Sequence, residues 1–249
     1  MNSAGNCIRY LTGLAAACLL VTITSVAEET GIASPALPET KDKPVKSAPV
    51  YRPPPRGSPA VRIGGATRGA GDPMPKLHVL APDHIALTVQ PQPVFQWYLS
   101  KPAQVRFEFT LVSEDSIEPA LERDFGTVHS RGIQQLDLAD TGVMLEPGVP
   151  YQWSVALIPD EQARSGDVVA SGMIKRIALT EELAAQLAGA DEYDQAIAYA
   201  GASIWYDALA MLSRLIAGDP ANITLRTQRA ALLEQVGLPA VGLPDESAR

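Results

Sequence analysis

Cysteine is nearly absent from this chain, and the position of the few cysteines is informative. The only two are Cys7 and Cys18, and both lie within the first 27 residues. If that segment is removed, the remaining protein has no thiol, no disulfide bond and no thiolate metal site.

The motifs of several enzyme classes are missing as well. The chain has no Gly-x-Ser-x-Gly, no His-Glu-x-x-His and no phosphate loop ending in Gly-Lys-Ser/Thr. Its three histidines, His78, His84 and His129, are dispersed, whereas a metal site needs three or four convergent ligands. We therefore expect no catalytic residue, no cofactor and no metal, although dispersed carboxylates leave a glycan hydrolase open.

The first 27 residues have the pattern of an export signal. Arg9 precedes an uncharged run, Leu11–Val26, and the small residues Ser25 and Ala27 offer a cleavage site. We predict a signal peptide over 1–27 and a periplasmic or secreted protein, with no stable transmembrane span after cleavage. Two alternatives are lipidation at Cys18 and an uncleaved segment that anchors the protein in the inner membrane.

Charge is divided unevenly along the chain, whose formal net charge is −8. Residues 41–76 carry eight Lys or Arg against two Asp, whereas residues 77–249 carry 11 basic and 23 acidic side chains. An acidic body is repelled by nucleic acid. We expect no nucleic-acid partner, and a basic arm that either packs on the acidic body or remains a solvated tether.

The amino-acid composition separates a linker from an arm in the N-terminal part of the chain. Residues 28–50 have few large apolar side chains and are predicted to be a disordered linker. Residues 51–76 form an arm rich in Pro, Gly and Arg, in which Arg52, Arg56 and Arg68 are candidate interaction residues. At the other end, residues 239–249 are predicted to be a flexible tail.

Residues 77–178 show the period-two pattern of half-buried strands. Phe107, Phe109 and Leu111 alternate with polar residues, and turn signals separate eight segments of this kind. The predicted strands are 77–80, 85–89, 94–99, 105–111, 121–125, 133–138, 151–157 and 168–177. This pattern predicts an antiparallel β-sandwich of the immunoglobulin or fibronectin-III type.

One local motif supports the sandwich. The segment Leu145–Trp153 resembles a tyrosine corner, in which a Tyr near the start of a strand bonds back to the upstream backbone. Tyr151 would be that residue. The alternative is a surface loop that enters an ordinary strand.

Residues 179–238 change to a helical period, which gives an α+β fold class. Helices are predicted over 181–188, 191–200, 203–217 and 222–236, with Thr180 as a helix cap. Tyr199, Ala208, Leu212 and Pro220 have the spacing of one tetratricopeptide repeat (TPR). We expect a TPR-like helical subdomain that packs on the sandwich. The more specific alternative is that these helices form a peptide-binding groove.

Aromatic residues supply the remaining candidate interaction sites. These are Trp97, Tyr98, Trp205 and Tyr206, together with the adjacent Asp207. Trp97 and Trp205 are expected to fill the core, or else to form an exposed platform for sugar binding. Asp207 is expected to cap a helix or to bridge to the sandwich through Arg176.

A series of weak motifs occurs in one order along residues 51–238. It runs from Arg52–Pro59 and Gly64–Gly69 through Pro93–Tyr98, Leu145–Trp153 and Arg164–Asp167 to Ile204–Leu209. The chain thereby resembles a bacterial exported family catalogued as Domain of Unknown Function 928. This resemblance implies secretion and assigns neither a reaction nor catalytic residues.

Taken together, the sequence favours an exported, non-enzymatic envelope protein that binds an envelope protein or a cell-wall component. The alternatives are a carbohydrate-binding module that uses exposed aromatics and an uncharacterised glycan hydrolase.

Overall fold

The computed structural model describes residues 47–55 and 74–238, all of which belong to one compact unit, Pro44–Arg249. Within these residues the chain has a mixed α+β fold. The strands are β1 (Leu77–Val79), β2 (Ala86–Thr88), β3 (Val94–Leu99), β4 (Arg106–Ser113), β5 (Leu121–Asp124), β6 (Gly132–Asp137), β7 (Pro150–Ile158) and β8 (Val168–Arg176). The helices are α1 (Glu181–Leu187), α2 (Glu192–Gly201), α3 (Trp205–Gly218) and α4 (Ile223–Glu234). Each predicted strand and helix coincides with one of these elements to within two residues at either end.

The strands form two sheets that do not close on themselves. One sheet is antiparallel with the order β1-β3-β6, and the other has the order β2-β8-β7-β4-β5. The prediction of purely antiparallel strands was wrong at one place, because β2 runs parallel to β8. This pair joins the second strand of the chain to the last one, and such a distant pairing leaves no turn signal in the sequence.

Aromatic side chains of the two sheets meet in a shared core. Phe95 of β3 lies 5.2 Å from Phe109 of β4 and 5.0 Å from Trp153 of β7 between ring centroids. Trp97 stacks on Phe107 at 5.4 Å. The alternation read in β4 is confirmed, because Phe107, Phe109 and Leu111 are all fully buried.

The predicted tyrosine corner is confirmed by a hydrogen bond. Tyr151, the second residue of β7, is buried, and its hydroxyl accepts a hydrogen bond of 3.2 Å from the backbone N–H of Glu146. The bond ties the loop before β7 to the strand that the loop enters.

Side-chain caps explain where three of the helices begin. Thr180, Asp191 and Asn222 each accept a hydrogen bond from the backbone N–H three residues later, which satisfies a donor that the helix leaves unpaired. The prediction for Thr180 is therefore confirmed. None of the helices among the described residues has both the length and the apolar character needed to cross a membrane.

The start of α3 joins the helices to the sheets. The indole N–H of Trp205 donates to the carbonyl of Leu80 at 2.9 Å. The Tyr206 hydroxyl accepts a hydrogen bond from Trp153 Nε1 at 2.7 Å and donates to the carbonyl of Met173 at 3.0 Å. Since these groups are buried, the hydrogen bonds satisfy polar atoms that would otherwise be costly to remove from water.

Residues 47–55, called the N-terminal strap below, pack on the helices. The strap includes the last four residues of the predicted linker and the first five of the predicted arm. Gln235 accepts from the N–H of Tyr51 at 2.8 Å and donates to the carbonyl of Pro49 at 2.9 Å. The Tyr51 ring is buried against Trp205 at 4.9 Å. Residues 28–46 of the linker, residues 56–73 of the arm, the signal peptide and the tail 239–249 lie outside the described residues.

Candidate functional site

A cleft of about 490 Å³ opens between the three-stranded sheet and helix α3. Its walls are the outer face of β3 and β6 and one face of α3, and the segment that follows β2 contributes to its lining. Polar groups along the cleft come from Gln90, Gln92, Gln96, Gln135, Asp137, Asp207, Ser213 and Arg214.

The alternation of side chains along β3 explains which residues line the cleft on its sheet side. Phe95 and Trp97 point into the core, so Val94 and Gln96 of the same strand point outward into the cleft. Gln96 lies directly opposite Gln135 of β6, and its Nε2 is 3.4 Å from Gln135 Oε1. Although it faces outward, Gln96 is only 2% exposed, because α3 covers it.

The helical spacing of residues in α3 explains which of its side chains line the cleft. Asp207, Ala210, Arg214 and Ala217 recur at the three- and four-residue spacing that places side chains on one face. Ser213 lies beside them, and its hydroxyl donates to Gln96 Oε1 at 3.0 Å. The same hydroxyl oxygen accepts a hydrogen bond from Arg229 Nη1 of α4 at 3.3 Å, so one short chain of polar contacts links both walls to α4.

Asp207 is the most strongly perturbed carboxyl group of the cleft. It lies in the first turn of α3 and is 6% exposed, and its Oδ2 is 3.4 Å from the backbone N of Val89. Burial raises its pKa to about 6, while hydrogen bonds from Thr88, Val89 and Gln90 partly oppose that rise. Its other oxygen, Oδ1, is buried and has no hydrogen-bond partner among the described residues.

Two arginines place positive charge near the other part of the α3 face. Arg214 is exposed, and its one hydrogen bond among the described residues runs from its guanidinium to the sulfur of Met211, at 3.1 Å. Arg229 is buried behind Ser213, and burial together with nearby Arg226 lowers its pKa to about 10. The cleft therefore has the buried carboxyl of Asp207 in the first turn of α3 and the guanidinium of Arg214 two turns later, with Arg229 of α4 behind Ser213.

Residues 63–243 match the model of the family DUF928, described as Domain of Unknown Function. The chain belongs to this family. The match covers more than half of the chain and includes every strand and helix that lines the cleft. A search of the curated proteins found no match to this DUF928 chain.

The cleft of this DUF928 chain brings together two of the residues singled out from sequence, Tyr206 and Asp207. Asp207 does bridge to the sheets, but the prediction that it does so through Arg176 was wrong. Arg176 donates instead to the carbonyl of Leu145 at 3.0 Å, and Asp207 interacts with the backbone N–H of Val89, directly after β2.

The expectation that Trp97 and Trp205 fill the core is confirmed, and the alternative of an exposed platform on these two rings is contradicted. Trp97 is 3% exposed and Trp205 is fully buried, so neither ring face is available to stack on a sugar. Tyr98 is half-buried, on the outer face of β3. Of the candidate arginines, Arg52 is exposed and its backbone N–H donates to the carbonyl of Ala200, whereas Arg56 and Arg68 lie outside the described residues.

Sequence reasoning missed the glutamines that line the cleft, together with Ser213 and Arg214. The signal for Gln96 was its position between Phe95 and Trp97, which sends its side chain to the opposite face of the sheet. Nothing in that alternation shows that a helix more than a hundred residues away covers the outer face.

The histidines form other contacts. His84 Nε2 is 2.9 Å from the Tyr51 hydroxyl, and its Nδ1 is 3.4 Å from Asp83 Oδ1. The imidazole Nε2 of His129 is 3.0 Å from the carbonyl of Gly126. Across the described ranges, no group of three or more His, Cys, Asp or Glu side chains is placed to hold a metal ion.

Proposed function

We propose that this protein is an exported, non-enzymatic binding protein of the cell envelope and that it holds a protein or wall partner in the cleft. The observation that carries the proposal is the cleft itself, in which neutral amide and hydroxyl groups converge between a sheet and a helix. Binding sites typically combine such a concave space with a few well-placed polar groups. The charge and apolar patterns of residues 1–27 support export.

We also infer that the two sheets form an immunoglobulin or fibronectin-III-like sandwich. The orders β1-β3-β6 and β8-β7-β4 correspond to the ABE and GFC arrangements of that fold, and the Tyr151 hydrogen bond corresponds to its tyrosine corner. The pair α2 and α3, with fully buried Ala208, supports a TPR-like helical subdomain. Both architectures commonly serve as interaction modules.

The binding proposal is tested by site-specific photo-crosslinking in the source organism. A photoreactive amino acid replaces Gln92 in the cleft, and the matched control replaces Ile117, which is 99% exposed. We expect a reproducible adduct at position 92 that is absent at position 117. No adduct, or the same adducts at both positions, would reject the cleft as the binding site.

Export is tested separately by cell fractionation and mass spectrometry of the N-terminus. We expect the protein in the periplasm or medium, with a new N-terminus at residue 28. A cytoplasmic protein with an intact first residue would reject this part of the proposal.

A second candidate function, glycan hydrolysis, is favoured by the two carboxyl groups that line one cleft. Asp207 has the raised pKa that a general acid requires, and Asp137 is the second carboxyl. Under this hypothesis the purified protein releases soluble fragments from labelled wall glycan, and Asp207→Asn or Asp137→Asn stops the release. A wild-type protein that releases nothing would reject it.

A further inference from the structure

The cleft-facing side of α3 carries opposite charges at a defined separation. Asp207 and Arg214 both line the cleft and are seven positions apart. At about 1.5 Å of rise per residue, their Cα atoms are separated by about 10 Å along the helix axis. Seven residues are close to two full turns, so both side chains leave the same face of the helix.

The two oxygens of Asp207 have different surroundings. Oδ2 interacts with the chain that follows β2, which fixes the carboxyl group between the sheet and the helix. Oδ1 has no partner among the described residues although it is buried. A buried carboxylate is costly, and because Asp207 lines the cleft, an ammonium group of a ligand there would offset this cost by charge attraction.

Arg214 carries a positive charge, which would bind a negatively charged group of the ligand. Its exposed guanidinium has no carboxylate partner among the residues that the structure describes, since its contact there is with the Met211 sulfur. The buried Arg229 adds positive charge behind Ser213. A planar guanidinium pairs best with a carboxylate, through two parallel hydrogen bonds.

Primary amides also line the cleft. Gln92 Nε2 donates to the carbonyl of Val143, and Gln96 is bonded to Gln135 and Ser213. Gln90 and Gln135 also line the cleft, and an amide carries both a carbonyl acceptor and an N–H donor, which is the pairing that a peptide backbone requires. An extended chain advances about 3.4 Å per residue, so a span of about 10 Å corresponds to about three residues.

We propose that the cleft binds a short extended peptide of about three residues with free termini, whose ammonium group lies towards Asp207 and whose carboxylate lies towards Arg214. This inference rests on the proposed binding function and specifies its ligand. A neutral glycan fits the cleft less well, since it would leave both charges unpaired. The rings of Tyr199 and Tyr206, which line the cleft, are also too buried to stack on a sugar.

The first test is isothermal titration calorimetry of the purified exported protein with trialanine. Two blocked forms, N-acetyl-trialanine and trialanine amide, each remove one terminal charge. We expect each blocked form to bind at least about tenfold more weakly than trialanine. Equal affinity for all three peptides, no binding of trialanine, or tighter binding of a neutral trisaccharide would overturn the proposal.

The second test assigns the carboxylate end. Arg214→Gln removes an exposed side chain, so the fold should be retained, and trialanine affinity should fall about tenfold while affinity for trialanine amide is unchanged. Arg123→Gln in β5, which is also exposed, is the matched control and should change neither. An unchanged preference of Arg214→Gln for trialanine over its amide would contradict the assignment.

The peptide proposal and the binding proposal can fail separately. A crosslink at position 92 that persists while the peptides fail to bind would remove the peptide assignment and keep the binding function. Loss of both signals would remove both.

Discussion

Asp207 contacts the backbone of Val89, but its burial disfavours the charged form of its carboxyl group. Burial raises its pKa to about 6, whereas an Asp in an unfolded chain has a pKa of about 3.9. Between these values the folded protein holds a proton that the unfolded chain has lost. The free energy of unfolding should therefore fall as the pH rises from about 4 to about 6, by about 3 kcal/mol from this group.

Asp207→Asn should remove this part of the pH dependence, because an amide does not ionise. Urea unfolding at several pH values between 4 and 7 measures the effect. Tyr199, which also lines the cleft, has a pKa raised by burial and therefore stays protonated across this range. Asp140→Asn, at an exposed site, is the control and should leave the pH profile unchanged. A profile of Asp207→Asn that matches the wild type would contradict the assignment.

Gly172 shows how closely the sheet packs at one residue. It lies opposite Trp153 in the β7–β8 pair, and a Cβ atom there would lie 2.8 Å from the Ala81 Cβ and 3.2 Å from Trp153 Nε1. Gly172→Ala should destabilise the protein by about 1–3 kcal/mol through overpacking, as measured by chemical denaturation. Gly166→Ala, where nothing lies within 4 Å of the added Cβ, should have little effect. Equal stability of the two variants would show that the neighbours of Gly172 can move.

At the scale of elements, one side chain from the region after α4 bonds the N-terminal strap at two points. Gln235 bonds to both Tyr51 and Pro49, so it holds backbone groups on both sides of residue 50. Gln235→Ala should leave the sheets and helices folded and release the strap locally, because the Tyr51 N–H loses its acceptor.

Hydrogen–deuterium exchange measures this release. We expect faster exchange over 47–55 in Gln235→Ala, with unchanged protection in β7. The matched control is Gln152→Ala, whose side chain is exposed on β7. If the variant retained wild-type protection across the strap, the anchoring role of Gln235 would be wrong.

For the whole molecule, the buried network at the start of α3 joins the helices to both sheets. Trp205 bonds to the segment after β1, and Tyr206 bonds to Trp153 of β7 and to Met173 of β8. We predict one cooperative unfolding transition, in which tryptophan fluorescence and the helical circular dichroism signal share one midpoint.

Tyr206→Phe should lower that midpoint without separating the two signals. The variant leaves Trp153 Nε1 and the Met173 carbonyl unpaired in the core, which costs about 1–3 kcal/mol. Tyr98→Phe, at a half-buried position, is the control and should have a smaller effect. Two separate transitions in the wild-type protein would show that sheets and helices unfold independently.

Much of the fold could be predicted from the chain because its signals are local. The alternation around Phe109 defines a strand, Thr180 defines a helix start, and the spacing from Glu146 to Tyr151 defines a turn closed by a hydrogen bond. Each of these signals acts over a few residues, within which the side-chain direction or the backbone hydrogen bond is already fixed.

The cleft could not be predicted in this way because it depends on distant segments. Gln96 and Ser213 are 117 positions apart, and Val89 and Asp207 are 118 positions apart. Whether Gln96 is an exposed amide or a buried cleft residue depends on where α3 packs, and no local period contains that information. Tertiary packing therefore decided which polar groups line the cleft and that Asp207, Trp97 and Trp205 are buried. Burial depends on all the neighbours that surround a side chain.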